Sequence, residues 1–112
     1  MNTVRLIGEL VDPVALQRDR ITKRAWGMTI VAVPRGIKGD TDFVPVTLRN
    51  REAEMAAVYL GDGSLVSIEG RLHSAVRPEL DGGELVAVRR SLWVIAERVT
   101  YLRMARHTGD RP

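Results

Sequence analysis

The sequence predicts an all-β protein: a five-stranded Greek-key barrel with one helix between its third and fourth strands. Three observations carry that expectation. Apolar residues alternate with polar ones in several short runs, the period of a half-buried strand. Only one segment, Asn50–Leu60, repeats at helical spacing. Glycine and proline clusters punctuate the chain between the runs, as they do in small β barrels.

The first run, TVRLIGEL, sets Val4, Leu6, Gly8 and Leu10 on one face and Arg5, Ile7 and Glu9 on the other. Because Ile7 is apolar too, the strand reads either as buried on both sides, at a subunit interface, or as an ordinary core strand with one extra apolar residue. Asp12-Pro13 ends it, since proline donates nothing to a ladder. A polar loop is expected through Lys23. AWGMTIVAV follows as a second strand rich in β-branched residues, PRGIKGD as a turn-rich connection, and DFVPVTL as a third strand whose Pro45 marks an edge or a bulge.

The helix comes next. Asn50 is expected as its N-cap, Glu52 and Glu54 favour its positive end, and Gly61 suits a left-handed stop. The fourth strand lies in GDGSLVSIEGRL, where Gly61 and Gly63 flank a turn and Gly70 stands where a side chain would pack. A glycine inside a strand marks a bulge, a bend or the close approach of another backbone, and a small barrel must curl at such a corner. PELDGGE is expected as a hairpin loop. LVAVRRSLWVIAERVTYL is the last strand, bent or bulged near Ala96. One helix between the third and fourth of five strands is the arrangement of the OB-fold, with a small α+β sandwich as the alternative. The expected division is an OB-fold domain over 1–103, then a short basic disordered tail over 104–112.

Composition narrows the function. The chain has 112 residues, enough for one domain with one core. Seventeen basic residues against fourteen acidic give a net charge of +3, which permits a polyanionic partner without demanding one. With no cysteine, disulfides, thiolate metal sites and thiol nucleophiles are excluded. No apolar run reaches the roughly 20 residues of a membrane helix, and MNTVRLIGEL lacks the build of a signal peptide. A cytoplasmic location without membrane contact is expected. No P-loop, nucleophile elbow or dinucleotide fingerprint occurs. His73 and His107 have no matching ligands nearby, and Asp40 and Asp42 read as turn residues capping backbone amides rather than as a metal pair. No enzyme, metal or cofactor is expected.

Four stretches together resemble the bacterial single-stranded DNA-binding protein (SSB) family. They are MNTVRLIGELVDP, with Asn2, Val4, Leu6, Ile7, Gly8, Leu10, Asp12 and Pro13; GSLVSIEGRL, with Gly63, Val66, Ile68, Glu69, Gly70, Arg71 and Leu72; TDFVPVTLRNREAEMAAVYL; and VIAERVTYL. The resemblance spans residues 2–102. It implies an oligomeric OB-fold, a homotetramer or homodimer with the first strand at the interface. It also implies low-specificity binding of single-stranded DNA in replication, recombination or repair, with replication or repair proteins as further candidate partners. Such binding needs a basic groove along the phosphates and flat side chains on which bases stack.

The same resemblance places Phe43 at one of the family's stacking positions and Gly36, Arg49 and Arg77 at others. An arginine plane can stack on a base and also meet a phosphate, so a trade of aromatic stacking for charge is expected. The candidate nucleic-acid-binding residues are therefore Phe43, Arg35, Lys38, Arg49, Arg71 and Arg77. Phe43 shares a face with Pro45 and Thr47 rather than with Val44, Val46 and Leu48, which favours a binding role over a core one. Each basic residue has solvated surface as its alternative, as has the loop cluster Arg18, Arg20, Lys23 and Arg24. Trp26, in phase with Met28 and Ile30, is expected in the core or a subunit contact, and Trp93 in the core or an interface. Asp62 replaces a lysine common in the family. Members serving replication usually end in an acidic tip, whereas this sequence ends RMARHTGDRP; an auxiliary, phage- or plasmid-type member is expected. The rival reading is an OB-fold protein-interaction module, or a primosomal PriB-like adaptor with weak DNA binding, favoured by the small number of aromatic residues.

Overall fold

A computed structural model describes residues 1–36 and 39–105. The elements run β1 (Val4–Leu10), β2 (Ala15–Arg18), β3 (Ala25–Pro34), β4 (Thr41–Arg49), α1 (Asn50–Tyr59), β5 (Leu65–Asp81) and β6 (Glu84–Arg103). The sheet order is β1-β5-β6-β4-β3-β2, and an extra β1–β3 pairing closes five of the strands into a ring. All neighbours are antiparallel except β4 and β6, which pair in parallel at Val46–Val94 and Thr47–Ile95. This is the OB-fold expected from the strand pattern.

The barrel is filled by alternate residues of the five ring strands, as the pleat requires, while β2 stays exposed outside it. Leu10, Val31, Val46, Leu48, Val66, Ile68, Val94 and Ala96 form its core, joined by Ala53 and Ala56 from α1 and by Leu60 just after it. A fully buried Val, Leu or Ile contributes about 1.5–3 kcal/mol, so this cluster supplies most of the driving force. The buried hydroxyls are satisfied. Thr29 donates to the Asp12 carbonyl at 2.8 Å. Ser64, wholly buried, accepts from the amides of Gly61 and Ala105 at 3.1 and 2.9 Å.

Two glycines allow the ring to close. A Cβ on Gly8 would lie 2.2 Å from the Ala32 carbonyl oxygen, and one on Gly70 would lie 2.1 Å from that of Ile95. Gly70 also sits at a register shift: Glu69 pairs with Arg98 but Gly70 pairs with Ala96, leaving Glu97 as the extra residue. The bend anticipated near Ala96 is this bulge, and close backbone approach is why no side chain fits at position 70. Asn2 adds a clasp beyond the end of β1. Its amide donates to the Leu72 carbonyl at 2.8 Å and accepts from the Leu72 amide at 2.9 Å, imitating one more rung of the ladder.

Several local expectations are corrected. The polar loop before β3 contains a short strand, β2, paired to β3 from Ala15–Met28 to Arg18–Ala25. PELDGGE is mostly strand: β5 continues to Asp81, and Gly82 and Gly83, at φ 60° and 89°, make a two-residue turn. Beyond Leu72 the paired ends of β5 and β6 therefore project as a long arm. Asn50 does not cap α1; Arg49 occupies that position with no side-chain hydrogen bond, and Asn50 itself has φ 55°. Gly61 is not a left-handed stop, since α1 ends at an extended Leu60 whose amide still bonds the Ala56 carbonyl. Within the single chain β1 is buried on one side, and Ile7, on the other, is 58% exposed and free to meet a second copy. Among the described residues no helix is long and apolar enough to cross a membrane. The proposed tail falls largely outside the described residues.

Candidate nucleic-acid interface

The outer face of the barrel follows from register. Phe43, Pro45, Thr47 and Arg49 alternate outward on β4, while Val46 and Leu48 point into the core. Opposite them on β3 stand Ala32, Ile30, Met28 and Trp26, in that order. Directly paired antiparallel residues share a face, so Trp26 and Met28 point outward with Phe43. The residues between them, Ala25, Gly27, Thr29 and Val31, are the buried set. The core reading of Trp26 is thus corrected: it is 38% exposed, Met28 47% and Phe43 61%. Its side of the strand is decided by the hairpin register, which the sequence alone does not reveal.

The same face continues across the parallel β4–β6 pair onto the arm. Thr47 pairs with Ile95, and along that side of β6 and β5 lie the cross-strand pairs Arg71–Ile95, His73–Trp93, Ala75–Ser91 and Arg77–Arg89. Trp93 and His73 stack obliquely, ring centroids 5.8 Å apart and planes at 41°. Where the arm leaves the barrel, Met28, Pro45, Thr47, Leu92 and Trp93 line a mostly apolar groove of about 430 Å³. Two tryptophans and a phenylalanine are thereby joined by one surface. Pairing of Trp26 with Arg49 and of Ala32 with Phe43 puts the ends of the β4 stretch about 20 Å apart at ~3.4 Å per residue.

The basic candidates divide by their partners. Arg35 lies just past β3, its Nε 3.0 Å from Asp42 Oδ1, so Asp42 holds a guanidinium rather than the backbone amide expected of it. Arg71 Nε lies 3.2 Å from Glu97 Oε2, the residue extruded by the bulge. Arg89 pairs with Glu79. Arg49 and Arg77 have no carboxylate within ion-pairing distance among the described residues. Exposed pairs of this kind are worth about 0–1 kcal/mol, so the paired arginines can exchange their carboxylate for a phosphate at little cost. Four of the six candidates, Phe43, Arg49, Arg71 and Arg77, thus share one continuous face, and Arg35 flanks its end. Lys38 lies outside the described residues.

Sequence reasoning did not commit to Trp26, Met28, Trp93, His73 or Arg89. The signal for the first two was the position of Phe43: once Phe43 is outward, the strand paired with it must present one parity, and that parity carries the larger apolar residues. Among the described residues no cluster of three potential metal ligands occurs.

Comparison with known proteins bears on the same span. The model of the Single-strand binding protein family matches residues 1–102. A Single-stranded DNA-binding protein of Clostridium tetani is 31% identical over 106 residues, covering 91% of this chain and 70% of that protein. Single-stranded DNA-binding protein 1 of Clostridium acetobutylicum is 28% identical over 107 residues, covering 91% of this chain and 94% of its own length.

Proposed function

The chain belongs to the Single-strand binding protein family, and from that premise we propose that it binds single-stranded DNA, without catalysis and with little sequence preference, on the outer face of β3, β4 and the arm. The observation that carries this reading is the conjunction, on one surface, of Trp26, Phe43 and Trp93 with Arg49 and Arg77. Bases stack on the rings; the guanidinium groups meet phosphates. Arg35 and Arg71 join them by exchanging carboxylate for phosphate, and Lys38, three residues after Arg35 in the sequence, is proposed with them. Such a protein serves replication, recombination or repair by holding unpaired strands.

Assembly is part of the proposal. Ile7 is exposed on the outward side of β1, in a hollow with Arg5, Ser67, Glu69, Arg98 and Thr100. Pairing of this side with a second copy would bury Ile7 and give the homodimer from which a tetramer is built.

Titration of fluorescently labelled oligo-dT by anisotropy, at several salt concentrations and against a duplex competitor, tests the reading. Binding that is length-dependent, weakens with salt and resists the duplex is expected. Salt-insensitive binding, or equal affinity for duplex, contradicts it. An absence of binding at low salt favours the protein-interaction alternative.

A further inference from the structure

The β2–β3 hairpin ends in a turn, Asp19–Arg24, that the outer face reaches but the single-strand reading does not use. Its conformation is tightly fixed. The Asp19 carboxylate accepts from the amides of Ile21 and Thr22, both at 2.9 Å. The Asp19 amide donates to the Arg24 carbonyl and the Lys23 amide to the Asp19 carbonyl, each at 2.9 Å. Thr22 Oγ1 accepts from the Arg24 amide at 3.3 Å. Lys23 takes φ 64°, the left-handed region. At the root, Arg18 Nη2 is bonded to Glu54 Oε2 of α1 at 2.9 Å, tying the hairpin to the barrel.

This turn presents Ile21 at 92% exposure, beside Arg20, Lys23 and Arg24. None of those three has an ion-pair partner among the described residues. A single exposed aliphatic residue is ordinary on a surface. What sets Ile21 apart is that a closed network of hydrogen bonds holds it out, and that its neighbours are cations. A membrane anchor needs a larger apolar area than one side chain. An apolar tip between cations matches instead the step between two bases, flanked by phosphates; isoleucine is one of the wedges that nucleic-acid-binding proteins insert there. The position agrees. Ala25 closes the hairpin opposite Arg18, and the next residue, Trp26, begins the outer face.

We propose that the Asp19–Arg24 turn is a junction wedge, in which Ile21 packs on the last base pair where single-stranded DNA enters a duplex and Arg20, Lys23 and Arg24 hold the phosphates on either side. The inference rests on the single-stranded DNA reading and adds to it a preference for forks. At such a junction the terminal pair has one open face, so the wedge meets a base without first parting a stack.

The test compares three ligands by anisotropy at one salt concentration: an oligo-dT strand, a hairpin duplex carrying the same strand as a tail, and a blunt hairpin. The intact protein is expected to prefer the tailed hairpin to the plain strand by at least about fivefold, the low end of one stacked base. Ile21→Ser abolishes that preference and leaves plain-strand affinity unchanged; exposure of the side chain ensures that the variant folds. Equal affinity of the intact protein for tail and tailed hairpin overturns the wedge while leaving single-strand binding standing. So does an equal loss on both ligands in Ile21→Ser. Failure of the intact protein to bind oligo-dT at all removes the parent reading and the wedge with it.

Discussion

Trp26 and Arg49 stand directly opposite each other on adjacent antiparallel strands, both on the outer side of the barrel. On the proposed reading, a flat indole beside a guanidinium with no carboxylate partner among the described residues would give one nucleotide a stacking surface and a phosphate contact together. Trp26→Ala is expected to weaken oligo-dT binding by about 1–3 kcal/mol, the range for loss of one stacked base. The melting temperature should change little, because the ring is not part of the core. Anisotropy and a thermal melt on the same preparation separate the two effects.

Arg49 and Arg77 are the candidates without a carboxylate neighbour among the described residues, so they are assigned the steadiest phosphate contacts. Each phosphate neutralised on a single strand contributes about 0.7 to the slope of log K against log salt. Replacing both by alanine should cut affinity sharply at low salt and flatten that slope by about 1.4, twice the single-contact figure. An unaltered slope would place the phosphate path elsewhere.

Gly70 lies against the Ile95 carbonyl, at the bulge that turns the barrel corner. Gly70→Ala forces a methyl into backbone that cannot retreat without breaking the β5–β6 ladder. Destabilisation of about 1–3 kcal/mol or more is expected, read from urea denaturation. Arg71→Ala, one residue along and half exposed, should cost far less stability.

The two amide bonds to its carboxylate hold Asp19 below its ordinary value of 3.8. A depressed acid of this kind steadies the fold at pH above the usual aspartate range, and its contribution is lost as pH falls through the depressed value. Amide protection at Ile21 and Thr22 should therefore persist at neutral pH and fade in acid. Asp19→Asn, which keeps one acceptor but no charge, should weaken the protection and remove its pH dependence.

Ile7 tests assembly. Ile7→Glu places a charge where two copies are proposed to meet, and light scattering after gel filtration should show a smaller particle with unchanged circular dichroism. An unchanged mass would assign the contact to another surface.

The barrel was readable because its strands alternate and its breakers are explicit: Val4 to Leu10, Val66 to Gly70 and the Pro45 strand all carry the right period. Gly70 was readable as a place of close approach, though not which backbone approached. What escaped depends on pairing rather than composition. β2 is a four-residue strand exposed throughout, formed because β3 offers it an edge, and nothing in ALQR demands it. The arm grew longer than expected because Pro78 and Leu80 pair across a two-residue glycine turn. The core reading of Trp26 fails because Trp26, Met28 and Ile30 resemble a core stripe, whereas the core side of that strand is built from Ala25, Gly27, Thr29 and Val31. For the candidate site, Phe43, Arg49, Arg71 and Arg77 were chosen one by one; only the register across β4, β6 and β5 shows that they share a face.

The most direct measurement is photocrosslinking of an oligonucleotide carrying 5-iodouracil, with the modified peptides identified by mass spectrometry. Adducts at Trp26, Phe43 or Trp93 are the predicted outcome, diminished by high salt. Adducts confined to the far side of the barrel, around Ile7 and Thr100, would contradict the assignment of the binding face.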